Sequence, residues 1–133
     1  MSPSIERLGG DPPSPFERDY GFSRVVVAGG FVLIGGTTSV NEDGVVVGDT
    51  PYEQAVEIMQ KIGGYLERVG ARLTDVVQTR FYVTDISRAD DVGRAFGETF
   101  GEIRPLMTMI EVSALIDPRM LVEIEAVAVA PKP

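Results

Sequence analysis

The segment "GDTPYEQAVEIMQKIGGYLERVGARLTDVVQTRFYVTDI", Gly48 to Ile86, contains one helix and one strand, and together they decide the architecture. Thr50 at the N-cap, Pro51 at N1 and Glu53 at N3 form a capping box. Ala55, Ile58, Met59, Ile62, Leu66 and Val69 recur at helical spacing and make a single apolar stripe, so this helix covers something on one side only. Gly70 supplies the stop. Gly63-Gly64 inside the helix costs about 2 kcal/mol against Ala-Ala, and the simplest reason to keep such a pair is a tight approach of a strand. Beyond the stop, Val76–Thr84 alternates as a strand does. Thr79, Phe81 and Val83 point one way, and Arg80, Tyr82 and Thr84 the other.

Upstream, "SRVVVAGGFVLIGG" reads as a hairpin. Arg24–Ala28 and Phe31–Gly35 flank Gly29-Gly30, and glycine supplies the positive φ that a primed two-residue turn needs. "NEDGVVVG" adds a turn at Asp43-Gly44 and a short third strand, Val45–Val47. Residues 1–18 are rich in Pro, Gly and Ser and read as an irregular N-terminal arm. Downstream, "SRADDVGRAFGETFGE" is a second helix, with Ser87 as N-cap, Asp90 at N3, and Val92, Ala95, Phe96 and Thr99-Phe100 on its apolar side. "RPLMTMIEVSAL" and "RMLVEIEAVAVA" are two further strands joined by a turn at Asp117-Pro118. The order is βββαβαββ. It implies one α/β layer sandwich, a mixed sheet with two helices on one face, in a single domain over 1–133.

Composition narrows the chemistry. The 133 residues carry a net charge of −8 and contain no Cys, His or Trp. Thiolate or imidazole zinc sites are excluded, as are Cys–His and Ser–His–Asp catalysis. Asp85, Asp90 and Asp91 lack calcium-loop spacing, so no metal site is expected. The acidic balance disfavours nucleic acid as a partner. No apolar run reaches membrane-spanning length and no apolar signal region is visible, so a cytoplasmic protein is expected.

The sheet face away from the helices is the place to look for chemistry. Alternation puts Arg80, Tyr82 and Thr84 there from one strand, Met107, Met109 and Glu111 from the next, and Glu123, Glu125 and Val127 from the last. Such a half-apolar bare face calls for a partner, and a homo-oligomer is the simplest one. One arginine and three carboxylates there form either an inter-subunit salt-bridge cluster or a site in which Arg80 or a neighbour binds a small carboxylate while a Glu moves protons. "GGTTSVN", Gly35–Asn41, is either a plain strand exit or a cradle of N–H groups for an anion. Arg94 in the second helix either lies in solvent or reaches a cleft at a subunit boundary.

Taken together, "YGFSRVVVAGGFVLIGGTTS", the Gly48–Ile86 segment and "VEIEAVAV" resemble, in order and spacing, the Rid family of reactive-intermediate deaminases, also called YjgF-like proteins. The resemblance covers the chain from about Tyr20 onward. It implies the chorismate-mutase-like fold and a homotrimer whose sheets close into a central barrel, with ligand clefts between subunits. The implied activity is cofactor-free hydrolysis of enamines and imines such as 2-aminoacrylate to 2-keto acids and ammonia. The implied ligand is a small anionic or carbonyl metabolite. The family's catalytic glutamate matches Glu123. Its aromatic matches Phe22, its glycine-hydroxyl segment matches Gly35, Gly36 and Thr37, and its helix asparagine falls at Arg94. Its "P-A-R-S" motif falls on Pro105, Leu106, Met107 and Thr108, so Met107 stands where active members hold the substrate-binding arginine. Arg80 and Arg94 are then the candidates to replace that charge, with Thr108 and Met109 beside them in the expected substrate-binding set. A charge-assisted contact to a carboxylate is worth on the order of 2–3 kcal/mol, and methionine cannot supply it. The standard deaminase activity is therefore weighed against a non-catalytic metabolite sensor or partner-binding trimer, and against an RNA-cleaving translation inhibitor.

Overall fold

The computed structural model describes residues 4–132. Its elements are β1 (Glu6–Leu8), α1 (Pro15–Tyr20), β2 (Val25–Ala28), β3 (Phe31–Thr37), α2 (Pro51–Arg68), β4 (Val76–Val83), α3 (Ala89–Phe100), β5 (Leu106–Glu111) and β6 (Val122–Val129). The six strands form one mixed sheet in the order β1-β2-β3-β6-β4-β5. Only β4 and β5 run parallel, joined by α3 as a crossover, as a parallel connection requires. The hairpin turns at Gly29 and Gly30 with φ of 59° and 84°, the left-handed values a primed turn demands.

The core lies between the sheet and helices α2 and α3. Ile58, Met59, Ile62 and Leu66 of α2, with Val92, Ala95 and Phe100 of α3, are buried against Val32, Ile34, Phe81 and Ile124. The expected stripe and the expected inward residues Thr79, Phe81 and Val83 are therefore the buried ones. Gln54, also buried, fastens α2 to the chain entering β6. Its Nε2 donates to Gly48 O at 3.1 Å and Arg119 O at 2.9 Å, and its Oε1 accepts from Leu121 N–H at 2.8 Å. The amide thus has its main partners met within the protein.

Several expectations are corrected. Within residues 4–18 the arm is irregular only in part: residues 9–14 carry no helix or strand, but β1 pairs with β2 at the sheet edge, and α1 begins at a complete capping box between Ser14 and Glu17; residues 1–3 lie outside the described residues. Val45–Val47 is no strand, because only Val46 bridges, to Val40, across the turn at Asn41–Gly44. The second helix begins at Ala89, and Ser87 instead donates to Asp85 from a short 3-10 turn over Ile86–Arg88. No strand approaches Gly63-Gly64. A Cβ on Gly63 would meet Leu73 at an ordinary 3.6 Å and one on Gly64 would meet nothing within 4 Å, so nothing in the structure explains the pair.

The correction with functional weight concerns β5. Thr79 pairs with Met107 and Phe81 with Met109, so both methionines share the helix-covered face and pack on the core. Glu111, paired with Val83, lies on that side too and accepts from Ile86 N–H at 3.0 Å. The uncovered face carries Leu106, Thr108 and Ile110 instead, next to Gln78, Arg80 and Tyr82. On β6, Glu123, Glu125 and Val127 do lie on the uncovered face, opposite Tyr82, Arg80 and Gln78.

Candidate functional site

A cavity of about 710 Å³ opens where the N-terminal segment, the ends of β2 and β3, the loop after β3 and one flank of α2 converge on Glu123. Arg24 enters it from the start of β2, where its backbone is fixed by bonds to Leu8 O at 2.8 Å and from Gly35 N–H at 2.9 Å. Its Nη2 donates to Gly35 O at 3.0 Å, to Gly36 O and to Thr37 Oγ1 at 2.9 Å. Its guanidinium carbon stands 5.7 Å from the Phe22 ring centre. These acceptors orient the side chain but are neutral, and among the described residues Arg24 makes no ion pair.

Lys61 reaches the same cavity from α2. Its Nζ donates to Thr38 O at 2.6 Å and Val40 O at 2.8 Å, and it too has no ion-pair partner among the described residues. Burial, then the nearby Arg24 charge, push its ammonium pKa down to about 8, against the pull of Glu57 and Glu17. An amine so placed is partly neutral near physiological pH, unlike an ordinary lysine.

Two carboxylates complete the electrostatics. Burial pushes Glu123 above the usual carboxylate range, Arg24 pulls it back and Glu125 adds to the rise. Gly36 makes room for it: a Cβ there would fall 2.8 Å from Glu123 Oε2. Glu17 is only 7% exposed. Burial pushes it up as well, but Gly10 and Ser14 N–H groups, each at 2.7 Å, together with Arg24 hold it below its ordinary value. Glu17 is thus a charged strut that carries the N-terminal segment over the cavity, whereas Glu123 is the carboxyl of the pair that holds a proton more readily.

Of the residues expected from the sequence, the structure brings Phe22, Gly35, Gly36, Thr37 and Glu123 together around this cavity. It does not bring the others there. Arg80 lines an adjoining hollow of about 340 Å³ on the uncovered sheet face, with Gln78 and Glu125, which shares Arg24 and Gly35 with the cavity but reaches neither Lys61 nor Glu123, and Thr108 is its neighbour on β5. Arg94 stacks on Tyr52, its guanidinium carbon 3.8 Å from the ring centre, and the Tyr52 hydroxyl donates to Glu98 at 2.6 Å. Met107 and Met109 face the helices. Sequence reasoning missed Arg24 and Lys61. Arg24 sits beside Phe22 at a strand entry, and Lys61 sits on the flank of the apolar stripe. Neither position distinguishes itself until the acceptors are placed beside it, Gly35 O, Gly36 O and Thr37 Oγ1 for Arg24 and the carbonyls of Thr38 and Val40 for Lys61. Among the described residues no group of three or more acidic, His or Cys side chains could hold a metal ion, and no helix is long and apolar enough to cross a membrane.

Comparison with known proteins agrees with this construction. The crystal structure of a Mycobacterium tuberculosis member of the YjgF/YER057c/UK114 family superposes with a TM-score of 0.85 at 42% identity, covering 96% of this chain and 100% of that one. An uncharacterised protein of Streptomyces coelicolor is 35% identical over 115 residues, 86% of each chain. A RutC family protein of Pyrococcus abyssi is 32% identical over 109 residues, 80% of this chain and 84% of its own. The family model described as endoribonuclease L-PSP matches residues 15–130, which is nearly the whole chain. By fold, sequence and extent of match, this chain belongs to the YjgF/RutC family, the Rid proteins.

Proposed function

We propose that the chain binds a small carboxylate-bearing imine or carbonyl metabolite in the Arg24–Lys61–Glu123 cavity, and hydrolyses it where the ligand is an imine. One observation carries this reading: two half-buried cations that make no ion-pair contact among the described residues share a cavity with a carboxyl whose pKa is raised. A buried charge without a counter-ion is expensive to maintain, and a small anion is the natural complement. Arg24 supplies the positive charge that Met107 cannot, from a different strand. In this reading Arg24 holds the carboxylate, the Gly35–Thr37 segment frames the ligand, and Glu123 gives a proton to the departing amine and takes one from the attacking water. The assay is ammonia release from enzymatically generated 2-imino acids. A rate above background in wild type that is lost in Arg24→Gln supports the reading. No rate with any imine in wild type removes hydrolysis and leaves binding alone.

Met107 in place of the arginine favours one second reading, a metabolite sensor that binds without turnover. Its mark is saturable binding of small acids with no product. An RNA-cleaving role fits poorly with a net charge of −8 and no histidine, because RNA cleavage draws on phosphate-binding charge and a near-neutral proton shuttle.

The proposed assembly is a homotrimer that buries the uncovered sheet face. Its support is the apolar surface concentrated there: Phe31 is 46% exposed, Leu33 42%, Leu106 67%, Ile110 46% and Val129 45%. Sedimentation at micromolar concentration tests it, and a stable lone chain removes it.

A further inference from the structure

Lys61 does not behave as a surface lysine or as half of a salt bridge. Its nitrogen is tied to two backbone carbonyls of the loop after β3, Thr38 O and Val40 O. A neutral amine has two N–H bonds and one lone pair. With both hydrogens committed to those carbonyls, the lone pair takes the remaining tetrahedral direction, where no protein partner lies. Arg24 stands close enough for its charge to act on the amine. A desolvated lysine next to a second cation is the arrangement that turns an ammonium into a nucleophile. The same guanidinium makes no direct ion pair among the described residues, so it can hold the acid group of a ligand whose reactive carbon lies one bond away.

We propose that Lys61 is a nucleophile that condenses with the carbonyl of a small 2-oxo acid, held by its carboxylate on Arg24, to give a Schiff base in the cavity. The inference rests on the proposed small-acid site and adds the substrate class and a covalent step. The lone pair of Nζ attacks the ligand's C2, and the carbonyl π pair moves to oxygen, which takes up a proton from the Glu123 carboxyl lining the same cavity. Nitrogen then releases a proton to Glu57, one helical turn earlier on α2 and on the same cavity wall. That proton returns to the hydroxyl as the C–O bond breaks, and water leaves. The nitrogen of the resulting iminium returns one proton to Glu123, so that one carbonyl and one amine become one imine and one water, with no change of oxidation state.

The chain contains only two lysines, Lys61 and Lys132, so the test carries its own reference. Full-length protein is incubated with pyruvate or glyoxylate and sodium cyanoborohydride, and adducts are mapped by peptide mass spectrometry. Pyruvate binding is measured in parallel by ligand-detected NMR, with lactate as the same anion without a carbonyl. The expected result is one reduced adduct per chain at Lys61, formed at least tenfold faster than at Lys132 or the α-amine. Lactate gives no adduct, and both Arg24→Gln and Lys61→Arg lose it at least tenfold. Saturable pyruvate binding with no preference for Lys61 overturns the inference and leaves the small-acid site standing. No pyruvate binding, with adducts spread evenly over the amines, overturns both. If Lys61→Arg does not fold, the ratio of Lys61 to Lys132 labelling in the wild-type chain still decides.

Discussion

The chain keeps arginines at two ends of its sheet, and treats them differently. At the β4–β5–α3 end they lie exposed, beside aromatic or acidic neighbours. Arg94 lies on Tyr52, whose hydroxyl binds Glu98; Arg88 pairs with Asp91; Arg80 faces Glu125, which the Tyr82 hydroxyl also engages. At the β2–β3–α2 end, Arg24 and Lys61 sit deeper and among the described residues hydrogen-bond only to neutral carbonyls and a hydroxyl, with Glu17, Glu57 and Glu123 felt at longer range. Exposed ion pairs contribute little and ask for no ligand. Partly desolvated cations whose direct contacts are dipoles, with carboxylates only at longer range, keep a positive field inside a cavity, and that is the physical difference between a solvated edge and a binding site.

The strongest way to sharpen the contrast is at Glu123. Glu123→Gln keeps shape and removes the exchangeable proton, so hydrolysis of an imine substrate should fall by about 10²-fold or more, the usual range for a general acid–base. Stability should move the other way. A carboxyl raised in the folded state contributes stability that is complete below its ordinary value of 4.5 and is lost as pH rises through the folded value. At pH 7 the charged Glu123 is therefore a net cost, and the melting point of the variant relative to wild type should be higher at pH 7 than at pH 4. A constant difference across that range breaks the assignment.

Arg24→Leu comes next. It deprives the carbonyls of Gly35 and Gly36 of their donor, at a cost of about 2–3 kcal/mol in denaturant unfolding. It should weaken binding of small acids by roughly 30-fold or more, the equivalent of one charge-assisted contact. Smaller still is Gly36→Ala. The new methyl collides with the flexible end of Glu123 and not with backbone, so the carboxylate swings away. Turnover should drop about tenfold, as a misplaced acid implies, while stability changes by less than about 1 kcal/mol. Equal losses of stability and turnover would mean that Glu123 has no room to yield.

How much of this could be read from the residues follows the same divide. The hairpin, α2, β4 and β6 announce themselves, because each carries one clean period and marked ends. The Ser14–Glu17 capping box was as legible as that of Thr50 and Glu53, but Pro12, Pro13 and Pro15 around it spoke for a loop. Three-residue β1 is too short for any period to show. In β5 the alternation was read in reverse: Leu106 and Ile110 are as apolar as Met107 and Met109, so period two carries no sign, and register is set by the pairing with β4 and the Thr79 Oγ1 bond to Leu106 O at 2.9 Å. Glu123 and Gly36 were legible because strand neighbours define their place. Arg24 and Lys61 were not, since each owes its environment to carbonyls more than ten residues away.

The smallest expected effect tests the comparison most directly. Arg94→Ala removes a cation stacked on a tyrosine at the helix surface, a contact worth about 0.5–1 kcal/mol. Unfolding should shift by no more than that, and affinity for small acids should not change, because Arg94 lines neither the Lys61 cavity nor the hollow around Arg80. The outcome separates two architectures. If Arg94→Ala weakens small-acid binding as strongly as Arg24→Leu does, then α3 of a second copy completes the cavity, and the two ends of the sheet form one site across an interface instead of an edge and a site within one chain. In that case the loss should be restored by mixing Arg94→Ala with Arg24→Leu subunits, since some interfaces would then combine an intact Arg24 with an intact Arg94. If the effect stays within the stacking energy, mixing restores nothing that Arg94→Ala had removed, and the cavity's positive charge is supplied by Arg24 and Lys61 alone.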